Sequence, residues 1–143
     1  MMIHLDIQNA CETTLPVSDH VLTQWVEQTL VSHCQRAELT LRLVHAEEIR
    51  TLNKTYRKQD KTTNVLAFPS NLPEEIHLEY PFLGDVIVCP TVLEAESIRL
   101  KTPLIAHWAH IVIHGVLHLL GYDHIQDHDA DKMQTLEIHI LQT

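Results

Sequence analysis

No segment of this chain approaches the uninterrupted apolar length that crosses a bilayer, and the opening residues Met1-Met2-Ile3-His4-Leu5-Asp6 form neither a basic leader nor an apolar stretch. A membrane span and a secretory leader are therefore set aside, and a cytoplasmic protein is expected. Cysteine is sparse. Cys11, Cys34 and Cys89 are odd in number, far apart and without a C-x-x-C pair, which excludes a disulfide frame and a cysteine metal site and leaves buried, reduced thiols. Positive charge is short as well, with ten Lys and Arg against 19 Asp and Glu and a net charge of -9. Repeats and linkers are also missing, so the 143 residues, 45% of them hydrophobic, are expected to form one domain, 1–143, with a core of ordinary size.

Histidine, by contrast, is plentiful, with 12 residues. Three lie in one run, His114-Gly115-Val116-Leu117-His118-Leu119-Leu120-Gly121-Tyr122-Asp123-His124. His114 and His118 are one helical turn apart, so on a helix both imidazoles leave the same face with Cβ atoms roughly 6 Å apart. Gly121 can take the left-handed conformation that ends a helix, which lets the chain turn so that His124 supplies a third corner. In so histidine-rich a chain some i, i+4 pairs arise by chance. Spacing, glycine and third histidine together do not. Three neutral imidazoles with an open position make a catalytic metal site; zinc, one ion per chain, suits such ligands best, and other divalent transition metals would also be accommodated.

The spacing matches the zinc protease pattern H-E-x-x-H-x-x-G-x-x-H, except that Gly115 stands where the glutamate would be. That glutamate is the base that takes a proton from metal-bound water. Without it, peptide hydrolysis loses its base while water on a metal still ionises near neutral pH. Glycine is also expected to clear volume beside the metal, enough to admit a phosphodiester.

The alternation of Ile3, Leu5 and Ile7 predicts a strand, and Val21, Leu22, Trp25, Val26, Thr29 and Leu30 predict a helix capped by Ser18. Leu39, Leu41 and Leu43 give a second strand, and Ile49, Leu52, Asn53 and Tyr56 a helix ending near Arg57. Thr63–Phe68 and Leu83–Cys89 read as two short strands separated by a polar loop, Ser70–Pro81. Thr91–Leu100 is a third helix, after which Thr102 and Pro103 are expected to act as N-cap and first residue of the histidine helix. Leu104, Ile105, Trp108, Ile111, Val112, Val116 and Leu119 surround much of that helix, which places it at the centre of the core. Asp127 can cap a final helix with an inward stripe from Met133 to Leu141. The fold class is α+β, a four-stranded mixed sheet packed with about five helices, the metal histidines lying at the end of the central buried one.

His114-Gly115-Val116-Leu117-His118-Leu119-Leu120-Gly121-Tyr122-Asp123-His124 resembles the signature of the bacterial YbeY family of metal-dependent, single-strand-specific endoribonucleases of ribosomal RNA maturation. Two further blocks agree. Asn53-Lys54-Thr55-Tyr56-Arg57 and Asp60 to Pro69 resemble the family's N-x-x-Y-R and T-N/D-V-L-S-F-P segments, and Leu83-Gly84-Asp85-Val86 its L-G-D-I strand. Ala67 departs from the family's usual serine. The resemblance implies the same architecture, a zinc-dependent endoribonuclease acting in 16S ribosomal RNA maturation and ribosome quality control, and a ribosomal protein or an assembly GTPase as partner.

The net negative charge opposes an RNA substrate, since phosphate contacts dominate nucleic-acid affinity. Distribution softens the objection: Arg42, Arg50, Lys54, Arg57, Lys58 and Lys61 fall within twenty positions and predict a local basic patch. Arg57 is the candidate catalytic residue. Its forked donors suit two non-bridging phosphate oxygens, against the alternative of an ion pair with Asp60 or a carboxylate of the final helix. Lys54 and Lys61 are candidates for flanking phosphates. Asp123 and Asp85 are candidates for orienting the metal ligands, although helix-end solvation explains the first and strand-edge exposure or a backbone hydrogen bond the second. The competing readings are a metallopeptidase-like hydrolase, opposed by Gly115, and a non-catalytic assembly factor that zinc merely stabilises.

Overall fold

Period-two alternation becomes strands and 3.6-residue spacing becomes helices in the order the sequence implies. A computed structural model describes residues 2–70 and 81–121. They form β1 (Met2–Asn9), α1 (Asp19–Leu30), β2 (Arg36–Leu43), α2 (Ala46–Arg57), β3 (Val65–Pro69), β4 (Phe82–Val88), α3 (Pro90–Leu100) and α4 (Leu104–Leu119). The helix expected after Asp127 lies outside the described residues, as does most of the loop expected between Ser70 and Pro81. Four helices are therefore described where about five are expected. The sheet runs β1-β2-β4-β3, with β1, β2 and β4 parallel and β3 antiparallel to β4, so it is mixed as expected.

Helices cover both faces of this sheet. Leu39, Leu41 and Leu43 of β2, with Val86 and Val88 of β4, pack in one core with Leu22, Val26 and Leu30 of α1 and Trp108, Val112 and Val116 of α4. Each such side chain contributes about 1.5–3 kcal/mol on burial. On the opposite face Ile49 of α2 meets Leu66, Ile87 and Cys89 in a smaller cluster. Ser18 caps α1 as expected, accepting from the Val21 amide at 3.2 Å. Among the described residues no helix is long and apolar enough to cross a membrane.

Three expectations need correction. The start of α4 falls one residue later: Pro103 is the N-cap and Leu104 the first helical residue. The reason is that Thr102 is used to close α3, its amide bonding the Ser97 carbonyl at 3.0 Å while Lys101 takes a left-handed conformation, a Schellman ending. Ile105 is 54% exposed, because the first turn of α4 presents it away from the core. Of the cysteines, Cys11 and Cys89 are buried but Cys34 only partly so; burial raises the Cys11 and Cys34 thiols above their ordinary pKa.

Candidate active site

The histidine helix is seated so closely on the sheet that a side chain at one position would crowd two strand residues. A Cβ at Gly115 would stand 2.6 Å from Val86 Cγ1 and 3.2 Å from Val65 Cγ2. The missing side chain therefore makes room for β4, while Gly115 also forms part of the wall of the cavity beside His114 and His118. Gly115→Ala should destabilise the fold by about 1–3 kcal/mol through overpacking. A fall of several degrees in melting temperature is the expected reading; an unchanged value would show that Val86 yields freely.

One turn apart on α4 and flanking Gly115, the half-buried His114 and His118 emerge on a common face, their Nε2 atoms 3.0 Å apart. Nitrogens held 2.0–2.1 Å from a tetrahedral ion stand about 3.3 Å apart, so these two imidazoles already converge as a pair of zinc ligands would. Behind them α4 ends as expected, at Gly121, whose φ of +100° suits glycine and whose amide bonds the His118 carbonyl at 3.0 Å. His124, the third expected ligand, and Asp123 lie outside the described residues. Among the described residues no third His, Cys, Asp or Glu completes a cation site.

His114 and His118 open onto a cavity of about 490 Å³ whose other walls include Arg57 from α2, Lys61 and Asn64 from the following loop, and Ala67 from β3. Arg57 reaches it by crossing the edge of the sheet. Its Nη2 donates to the Ala67 carbonyl at 2.6 Å, and its guanidinium carbon lies 5.5 Å from the Phe68 ring centroid. The remaining N–H groups of the fork are donors of the kind phosphate oxygens accept. The suggested partner Asp60 is engaged elsewhere, by Arg50 at 2.8 Å, which holds its carboxyl below the ordinary carboxylate range.

Lys61 is held in place by a residue whose role sequence reading missed. Asn53, only 5% exposed, donates through Nδ2 to the Lys61 carbonyl at 3.0 Å and accepts the Gln59 amide at its backbone oxygen at 3.2 Å. It ties the loop to α2. An asparagine on the inward stripe of an amphipathic helix is the signal that could have revealed it, since a buried amide needs partners.

The structure does not bring all the candidates together. Lys54 lies in a separate depression with Arg50, its Nζ 4.0 Å from Asp60 Oδ2. Asp85 is not behind the histidines. Val86 meets Gly115 of α4, so its strand neighbour Asp85 projects from the opposite face, into a cleft of about 660 Å³ with Glu48, Tyr56 and Arg57. Arg42 belongs to that cleft too, bound to Glu48 at 2.7 Å and 3.2 Å and to Gln8 at 3.1 Å. The hydrogen bonds to Glu48 raise its pKa further. The expected basic patch is thus broken up: Arg42, Arg50 and Lys54 face carboxylates, Lys61 lines the histidine cavity, and Arg57 lines both that cavity and the cleft with Asp85.

Comparison with known proteins places the chain in one family. A family model described as endoribonuclease YbeY matches residues 6–143. The chain is 56% identical over 141 residues to the endoribonuclease YbeY of Legionella pneumophila, covering 99% of this chain and 89% of that protein. Against the endoribonuclease YbeY of Pseudomonas putida it is 48% identical over 140 residues, covering 98% and 88% respectively. The solution structure of a Thermotoga maritima protein is similar, with a TM-score of 0.66 and 26% identity over 99% of this chain and 87% of that one.

Proposed function

Since the chain belongs to the endoribonuclease YbeY family, we propose that it hydrolyses phosphodiester bonds within single-stranded RNA, using zinc, in the cytoplasmic maturation of 16S ribosomal RNA and in ribosome quality control. The observation that carries the reading is one cavity shared by the converging His114 and His118 and by the cations Arg57 and Lys61. His114 and His118, with His124 as the third ligand, would hold the metal. When bound, zinc supplies an ionisable water and a Lewis acid for a phosphoryl oxygen.

Arg57 binds the non-bridging oxygens of the scissile phosphate, and its bond to the Ala67 carbonyl fixes the fork before substrate arrives. Lys61, a point charge, receives a neighbouring phosphate. A cavity lined on one side by a strand edge accepts a single strand that can bend into it, whereas a duplex presents its backbone on a stiff cylinder. A ribosomal protein or an assembly GTPase would deliver the strand. The metallopeptidase alternative is weakened by Gly115, which supplies no base and has Val86 where a longer side chain would go.

The test is cleavage of a defined end-labelled RNA, free and annealed to its complement. The free strand is expected to be cut internally at least about tenfold faster than the duplex. Dialysis against a chelator should abolish cutting with the fold intact; unfolding on chelation would favour the zinc-stabilised assembly factor, and cutting that survives chelation would exclude the metal. The product ends separate two routes. A 2′,3′-cyclic phosphate marks attack by the ribose hydroxyl, and a 3′-hydroxyl or 3′-phosphate marks attack by water.

A further inference from the structure

Asn64 lines the cavity with its amide nitrogen committed to Glu96, and we infer that its oxygen reads the ribose 2′-hydroxyl of the bound strand, with Glu96 as the positioning residue that orients it. The inference rests on the ribonuclease reading above. Asn64 lies in the loop before β3 and lines the cavity with His114 and His118. Its Nδ2 is 3.2 Å from Glu96 Oε1 and 3.3 Å from Oε2. A carboxylate only accepts, so the amide nitrogen must face Glu96 and Oδ1 is the end turned away from it.

Glu96, on α3, is itself held. Its Oε1 lies 3.0 Å from Nε2 of His107, a histidine of α4 that is only 6% exposed, and Arg99 Nη2 lies 3.9 Å from Oε2. A buried imidazole bonded to a carboxylate is hard to displace, because separating the two leaves the buried imidazole without that partner. The frame His107–Glu96–Asn64 therefore ties α3 and α4 to the loop that enters the cavity and leaves the carboxamide a single orientation.

The chemistry of the strand selects the partner. Arg57 and Lys61 are donors and match phosphate oxygens, which only accept; Asn64 Oδ1 is an acceptor, and no phosphate can meet it. Along a sugar–phosphate backbone the one donor is the 2′-hydroxyl, the group that distinguishes RNA from DNA. A base N–H is the other donor available, and it would make cleavage depend on base identity.

The experiment uses the zinc-loaded full chain and single-turnover cleavage of one defined single-stranded RNA. It is compared with a series carrying 2′-deoxyribose at one nucleotide after another around the cut, and with a series varying the base at the same positions. In the wild type, one position other than any attacking nucleotide should lose about tenfold on removal of its hydroxyl. Asn64→Ala and the better size match Asn64→Leu should cut the all-RNA strand about tenfold more slowly and lose nothing further at that position. Glu96→Gln keeps Asn64 but replaces one accepting oxygen by an amide, so the sensitivity at that same position should shrink in part. A merely structural role for Glu96 would lower every substrate equally and overturn its positioning role. Equal losses in wild type and both Asn64 variants at every deoxy position would overturn the assignment, as would a loss that follows the base. A wild type that cuts no RNA at all would instead overturn the ribonuclease reading on which the assignment stands.

Discussion

Arg57→Ala is expected to slow cleavage of a single-stranded RNA by on the order of a hundredfold or more, because it removes the donors that hold charge developing on the phosphoryl oxygens. Zinc content should not change, since the arginine stands on α2 and β3 rather than among the histidines of α4. Arg57→Lys should rescue poorly, as an ammonium cannot both satisfy the Ala67 carbonyl and offer a fork to phosphate. Arg57→Glu should be slowest, because it adds repulsion. Stability should fall only modestly, the residue being exposed and its ties few. Single-turnover rates, metal content and melting temperature measured on all three variants separate these effects. Wild-type rates in folded, zinc-loaded variants would remove Arg57 from the mechanism.

His118→Ala should have an even larger effect on the metal, lowering bound zinc well below one ion per chain and cleavage with it. His118 contributes one of two imidazoles whose nitrogens already lie 3.0 Å apart, and with either gone the remaining ligands are too few for a tight site. The side chain is only partly buried, so its truncation removes little packing. Elemental analysis of the purified variant decides the matter, and a full complement of zinc would refute the ligand assignment. The melting temperature should fall to that of chelator-treated wild type, because stabilisation by a bound ion disappears with its affinity.

Much of this arrangement was readable from residue spacing. Helical period and turn residues located α1 to α4, and i, i+4 histidines before Gly121 foretold the convergence of His114 and His118, because local geometry alone decides those features. Long-range placement was less accessible. Lys54 and Lys61 are close in sequence and seemed equivalent, yet α2 ends between them and turns them toward different depressions. Asp85 and Val86 are neighbours, but alternation along β4 sends them to opposite faces, so Asp85 does not reach the side of the sheet where His114 and His118 lie. Gly115 was read for the substituent it lacks in comparison with a protease. A further constraint comes from Val86, on a strand 29 residues earlier, which no local pattern contains. Glu96 and His107 carried no motif at all, and only the approach of α3 to α4 makes them a pair.

The outer strand of the sheet also bears on how molecules of this protein behave toward one another. Cys89 donates to the Asn64 carbonyl and Ser70 to that of Leu83, so by alternation the pairing groups of Val65, Ala67 and Pro69 point away from β4. Such a row is a template for adhesion between chains. Here it is blunted: the strand is five residues long, Pro69 has no N–H, and the Ala67 carbonyl is occupied by Arg57. The arginine proposed to bind phosphate thus also occupies an acceptor of the exposed edge. If Arg57 acts in cleavage as proposed, colloidal behaviour and chemistry meet at one side chain, so rates of an Arg57 variant are to be measured on its monomeric fraction.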